Sequence, residues 1–487
     1  MPRLAARSVA RAVTAMLVTG ALSTAFTTPA GAAPPDAAPQ NPFLAPDPFS
    51  NIHDNTWMSD TYSIAGPTAG ATAAYGPYRP AVCGSLTFDR SGQIVSVCPS
   101  AGTPPQARVI DPHTLAVLGT YDLPSAPAGP GTPGYQDFTG GGYIFLDQRN
   151  RVWTTTKTRH LFVLQIHGTR FVKVADYDLS KVLRPGQGLT SALPDFNGNV
   201  WFVSKRGGVV GVLNPQTRRL RVTRADSEIE NSFAVGRDGV YIVSERSMYR
   251  YDLGRGGRPV VVWRSVYRNS GLHKPGQVDH GSGTTPTIMA GGFVSITDNA
   301  EPMNVVVYRT GARLARGQRR LVCAVPVFRK GASATENSLI GSGRSLIVEN
   351  NYGYVGFSGP NANAMTSPGF ARVDVNARGG GCHRVWQTFA LAAPSVVAKL
   401  STKTGLIYTY TRDAGATVPW SWAALSFRTG RTMFKIHAGN GTLFNNNYAG
   451  IAIGPTGNAY LSTIGGIAEL RRPGSSAGSA NSPVTSR

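Results

Sequence analysis

Two tripeptides carry the densest chemistry in the chain, Glu230-Asn231-Ser232 and Glu336-Asn337-Ser338. Each sets a carboxylate, an amide and a hydroxyl in a row just before an apolar run. In both cases a glycine turn and a second apolar run follow, and the second run ends on a glutamate, Glu245 or Glu349. Asp298, Asn299 and Glu301 bring the same mixture of acid and amide to the end of another such run. Carboxylates gathered in one place raise one another's pKa and call for a cation or basic partners. Hard oxygen donors of this kind suit Ca²⁺. Glu230, Asn231, Asp298, Asn299, Glu336 and Asn337 are the candidate ligands, and Lys205, Arg246 and Arg412 are the basic alternatives. A bound Ca²⁺ would polarise a carbonyl oxygen. His280, Glu349 and Tyr352 are the candidate catalytic groups, with His280 or one of the paired acids as base.

Two further stretches could touch a ligand. GSGTTPT (281–287) packs the hydroxyls of Ser282, Thr284 and Thr285 between glycines, and VENNYGY (348–354) sets Asn350, Asn351 and Tyr352 beside Glu349. Arg412 joins them as a candidate ligand contact. Each stretch also has a purely structural reading. The first is then a tight strand entry fixed by Pro286, and the second a wet loop with aromatic cover.

Positioning such scattered residues requires repeated elements. Eight segments share one pattern of short β run, turn rich in Asp, Gly or Asn, and second β run; NSFAVGRDGVYIVS and NSLIGSGRSLIV are two of them. Their first strands start near 84, 142, 190, 232, 284, 337, 395 and 448. Several copies continue into a second hairpin, through turns such as Asp-Pro-His-Thr (111–114) and Asn-Pro-Gln-Thr (214–217). Two hairpins make a four-stranded sheet, and this period is that of a β-propeller blade. The expected fold is therefore all-β, a single propeller of eight four-stranded blades, with seven as the alternative count. The last repeat is short of a strand, and TWMSDTYSIAG (56–66) is the N-terminal segment expected to close the ring.

In a propeller the start of each inner strand and the end of its neighbour lie at the same end of the channel. That places the polar starts and the polar ends named above at one mouth. Such residues also serve to hydrate a pore and join blades.

The turns DFNGNVW (195–201) and GPTGNAY (454–460) resemble those of two propeller groups, the quinoprotein-like group and the gluconolactonase–regucalcin group. The resemblance covers nearly all of the chain after the leader, and its motifs are structural. The second group implies calcium held at the channel mouth by Glu, Asn and Asp from several blades, and lactone hydrolysis there. Other propeller chemistries lack their residues. No adjacent cysteine pair, four-histidine iron set, aspartate box or Gly-x-Ser-x-Gly turn is present. No organic cofactor is indicated.

Residues 1–32 read as a secretory signal peptide: Arg3, Arg7 and Arg11, a short apolar stretch, then Ala30-Gly31-Ala32. With no cysteine at that site the protein is expected to be secreted without a lipid anchor. Residues 33–50 read as a Pro/Ala-rich linker, 51–472 as the propeller and 473–487 as a disordered Ser/Gly-rich tail. Four cysteines in an exported chain imply disulfides. Cys83 and Cys98 lie symmetrically about the Asp89–Gly92 turn and should face each other; Cys323 and Cys382 pair by elimination.

The net charge of +22 comes mainly from arginine, since only nine residues are Lys. A GC-rich genome explains part of that excess, and attraction to an anionic cell-surface polymer is the functional explanation. The positive residues are scattered, so nucleic acid is not an expected partner. No later apolar run is long enough to span a bilayer. A monomer is expected. Two functions follow: a small-molecule site at the channel mouth with calcium-assisted, hydrolase-like chemistry, or a non-catalytic propeller that binds a surface glycan or protein.

Overall fold

In a computed structural model the chain is described for residues 37–474, apart from 79, 101–102, 126–136 and 138. The signal peptide and the tail from 475 lie outside the described residues. Eight four-stranded blades follow one another, and in the first seven the strands are hydrogen-bonded in chain order from the channel outward, with one extra N-terminal strand added to the inner edge of blade seven. Blade one runs Thr87–Phe88, Ile94–Ser100, Thr103–Ile110 and Val117–Asp122. The inner strands of blades two to eight are Ile144–Leu146, Leu189–Pro194, Ala234–Gly236, Thr287–Met289, Ile340–Ser342, Lys399–Ser401 and Ile451–Ile453. Each lies close to its expected place, because burial selects apolar residues for the two inner strands and leaves outer strands half polar. In blade three the second strand, Val200–Ser204, is buried throughout, whereas the outer strand Arg219–Arg224 alternates.

The recurring turn has a physical cause. Asp195 Oδ1 accepts the backbone N–H groups of Asn197 (2.8 Å) and Asn199 (3.0 Å), and its Oδ2 accepts Trp201 Nε1–H (3.0 Å). One carboxylate thus closes the turn and ties it to a core indole. Gly198 takes the left-handed conformation that the turn needs, with φ +83°. Asp147 repeats the arrangement with Arg149, Arg151 and Trp153.

Both N-terminal strands join the ring's C-terminal blades. Thr61–Tyr62, within the segment expected to close the ring, pairs in parallel with the inner strand of blade seven. Thr72–Pro77 supplies the outer strand of blade eight, antiparallel to Gly466–Arg471. Cys83–Cys98 spans 4.1 Å between Cα atoms in blade one. Cys323–Cys382 spans 5.9 Å and staples the outer strands of blades five and six.

Residues 41–60 are not a tether but part of the packed body, with Asn41, Leu44 and Ser50 buried. This segment winds around the inner ends of the blades. Ser50 O accepts Leu146 N–H (2.7 Å), Thr56 O accepts Val235 N–H (2.7 Å), and Trp57 O accepts Ile288 N–H (2.9 Å). Ser59 O accepts Gly341 N–H (2.8 Å) and Asp60 O accepts Leu400 N–H (3.0 Å). The chain so laid down lies along the inner strands and forms a floor to the channel. No helix among the described residues is long and apolar enough to cross a membrane.

Candidate functional site

Where the inner strands begin, acids from the entries of blades four to six converge. Lys205 Nζ lies 2.5 Å from Glu230 Oε2 and 3.8 Å from Asp279 Oδ1. Glu336 stands beside them, its Oε2 accepting Val278 N–H at 3.0 Å. Burial, reinforced by the Asp279 carboxylate, pushes the Glu230 carboxyl well above the usual range against the pull of Lys205. Burial also drives Glu336 well above that range, with Asp279 adding to the effect. Toward solvent, Glu228 and Glu245 are half-buried and raised by burial and by the Asp279 charge. Lys205, at the end of the second strand of blade three, supplies the ammonium that this group of acids requires.

Two loops cross the mouth. Gly353 N–H donates to Pro275 O (3.0 Å). Tyr354 packs edge-on against Tyr448, and its hydroxyl donates to Asn445 Oδ1 (2.9 Å) and Asn447 Oδ1 (3.0 Å). Gly276 meets the same crossing: a Cβ there would stand 2.2 Å from Asn351 O.

Between mouth and floor lies a cavity of about 30 Å³, lined by residues that include His53, Tyr143, Asn231, Glu336, Asn337 and Ser338. Tyr143 donates to Asn231 Oδ1 (3.1 Å). The Asn231 Nδ2 and Asn337 Oδ1 atoms are buried without a partner. On the floor, His53 Nδ1 is 3.0 Å from Asp60 Oδ1, and His53 Nε2 is 3.4 Å from Ser338 Oγ. Lys399 Nζ contacts Asp60 Oδ1 at 2.5 Å and Asp54 Oδ1 at 3.2 Å. Burial opposes the Asp60 charge, but His53 and Lys399 more than offset it and hold that carboxyl below its ordinary value. Asp54 instead rises to about 7, chiefly through burial.

Among the sequence candidates, Glu230, Asn231, Glu336 and Asn337 come together on the channel. Asp298 and Asn299 do not join them. Asp298 is spent on its own turn, accepting Asn304 N–H (2.7 Å), Asn304 Nδ2–H (2.8 Å) and Ala300 N–H (3.2 Å). Asn299 Nδ2 donates to Leu272 O (2.8 Å) and His280 O (2.7 Å). The six-residue calcium set is therefore split, and the described residues contain no group of three or more His, Cys, Asp or Glu placed to hold a metal ion.

His280 is exposed on the mouth loop with its ring against His273. Glu349 is buried, accepting from Asn337 and Asn351, and burial raises it to about 8. Asn350 and Asn351 bind backbone and neighbouring side chains, with Asn351 Nδ2 donating to Ala393 O (3.1 Å) and Asn350 Nδ2 to Ala332 O (2.9 Å). Ser282 Oγ and Thr284 Oγ1 are 3.0 Å apart, and Thr284 accepts Thr297 N–H, so they knit the entry of blade five. Thr285 faces Tyr143. Tyr352 is held through its backbone, by Asn350 Oδ1 and by Ser367 N–H. Arg412 Nε donates to Asn363 O (3.1 Å) in the loop over the mouth.

Sequence reasoning missed His53, Asp60, Lys399 and Tyr143. The stretch HDNTWMSD (53–60) carried the signal, since it concentrates His and Asp in a segment outside the repeats.

No family model matches the chain. An uncharacterized protein of Archaeoglobus fulgidus is 24% identical over 362 residues, which cover 67% of this chain and 68% of the relative. Among solved structures, quinohemoprotein alcohol dehydrogenase from Comamonas testosteroni aligns with a TM-score of 0.55 at 11% identity, over 92% of this chain and 83% of that one. A streptogramin B lyase aligns with a TM-score of 0.42 at 11% identity, over 82% of this chain and 97% of that one. The dehydrogenase bears on the fold alone, and the lyase likeness carries no argument.

Proposed function

We propose that the protein is an exported propeller that binds a small polar organic molecule in its central channel, between the mouth carboxylates and the floor made by residues 41–60. The observation that carries this reading is the pair of unpartnered atoms, Asn231 Nδ2 and Asn337 Oδ1, on residues that line the cavity. A buried amide left unpaired costs about 1–3 kcal/mol. A ligand offering both an acceptor and a donor recovers that cost. The cavity of about 30 Å³ has room for about two water-sized groups. It therefore takes one functional group of the ligand, while the remainder reaches toward Asp279 and the mouth.

Calcium is not needed in this account. Lys205 supplies the positive charge at Glu230 and Asp279. The unpaired Asn231 Nδ2–H suits a ligand with a carbonyl, ether or ester oxygen. The test is calorimetric titration of the full secreted chain with small polar organic molecules, alongside an Asn231→Leu variant. Binding that disappears in the variant, with the melting temperature retained, supports the reading. Binding that is equally strong in the variant contradicts it.

A further inference from the structure

We infer that Ser338, His53 and Asp60 form a nucleophilic relay that transfers a short acyl group from a carboxylic ester or lactone to water. This rests on the cavity being the ligand site. Ser338 Oγ is 3.4 Å from His53 Nε2, and His53 Nδ1 is 3.0 Å from Asp60 Oδ1. The distance between nucleophile and base is commonly long before substrate arrives. With Nδ1–H donating to the carboxylate, the Nε2 lone pair is left facing the hydroxyl. Asp60 and His53 are buried, and Ser338 is half-buried on the cavity side.

Comparison between blades sets Ser338 apart. Ser191 and Ser232 stand at corresponding inner-strand starts in blades three and four, and their hydroxyls bond to each other at 2.7 Å. Those two act as joints between blades. Ser338 instead meets an imidazole brought in by a segment that belongs to no blade. Asn231 adds an independent element, since its unpaired Nδ2–H lines the same cavity and can meet an oxyanion. Lys399, bound to the same Asp60 Oδ1 that His53 meets, fixes that carboxylate in place, so it is a positioning residue.

Ser338 Oγ forms a bond to the acyl carbon while its proton passes to His53 Nε2. The carbon–alkoxy bond then breaks, and the alkoxide leaves with the proton from His53. Water attacks the acyl-serine, giving its proton to His53; the bond from Ser338 Oγ to the acyl carbon breaks, and the proton returns to Ser338. The products are a carboxylic acid and an alcohol, joined in one molecule when the substrate is a lactone. The small cavity restricts the acyl part to a few heavy atoms.

The experiment treats the full secreted chain with a small alkyl fluorophosphonate and maps the modified peptide by mass spectrometry. Hydrolysis of p-nitrophenyl acetate is followed in parallel. The expected result is a single adduct on Ser338, absent from Ser338→Ala and from His53→Gln, with hydrolysis lower by on the order of 10³-fold in Ser338→Ala. Ligand titration of folded Ser338→Ala separates the two proposals. Retained ligand binding with no adduct on wild-type Ser338 overturns the relay and leaves the binding site standing. Slower formation of the Ser338 adduct in folded Asn231→Leu supports the relay with Asn231 as its oxyanion donor. An adduct on any other residue, or unchanged hydrolysis in Ser338→Ala, overturns the relay.

Discussion

Lys205 Nζ sits 2.5 Å from Glu230 Oε2, although the two residues belong to the end of a blade-three strand and the entry of blade four. The pair joins adjacent blades at the channel mouth. It also places a positive charge where Asp279 and Glu336 would otherwise repel Glu230. A buried pair broken on one side typically costs about 3–5 kcal/mol, because the remaining charge is stranded.

Lys205→Met should therefore destabilise the protein, and the loss should grow as pH rises. Without the ammonium the Glu230 carboxyl, already raised by burial, binds its proton more tightly still in the folded state. Unfolding then releases protons, and stability falls with increasing pH. Urea unfolding at pH 5 and pH 8 measures this. A loss of the same size at both pH values would show that Lys205 acts through packing alone.

Glu349 gives a second pH signature. Its folded carboxyl is raised to about 8 from an ordinary 4.5, with burial the main cause. The contribution is complete below about 4.5, where both states are protonated, and is lost progressively as pH rises toward 8. Glu349→Gln should flatten the decline in melting temperature over that window and raise it near pH 8. A variant curve parallel to wild type would contradict the assignment.

The staple between blades five and six is remote from the channel. Replacing Cys323 and Cys382 together by Ala should cost about 2–4 kcal/mol. Ligand binding should keep its affinity at temperatures where the variant is folded. Calorimetry on both proteins checks this, and a change in affinity would mean that the blade edges govern the site.

Added Ca²⁺ should leave the melting temperature unchanged, since Lys205 already supplies the countercharge and Asp298 is committed to its turn. A ligand that binds only the folded state would raise it. A rise of several degrees at millimolar Ca²⁺, lost in Glu336→Gln, would restore the cation to the site.

The fold was legible because its grammar is local. Asp195 and Asp147 each close a turn and bind a tryptophan within a few residues, so the sequence displays both the strand period and its punctuation. The mouth was partly legible, because Glu230 and Glu336 hold the same phase in different blades. Phase alone could not separate Asp298 from them. An acid that caps its own turn and one that faces the channel occupy similar positions, and hydrogen bonds to Asn304 decide the matter. The floor was legible only as an unusual concentration of His and Asp in HDNTWMSD (53–60), with nothing to say that it faces the channel. His53 and Asp60 reach the channel through a segment without repeat or strand pattern, held mainly by its backbone carbonyls, and such bonds leave no mark on side-chain identity.

Binding and hydrolysis alike require that the channel between Asn231 and His53 hold a ligand. Crystals of the protein soaked with small esters, lactones and amides test it most directly. The account predicts density in the cavity, with a ligand oxygen within hydrogen-bond distance of Asn231 Nδ2 and Ser338 Oγ. Fragments found only on the outer strands, with the cavity taking none of them, would contradict it.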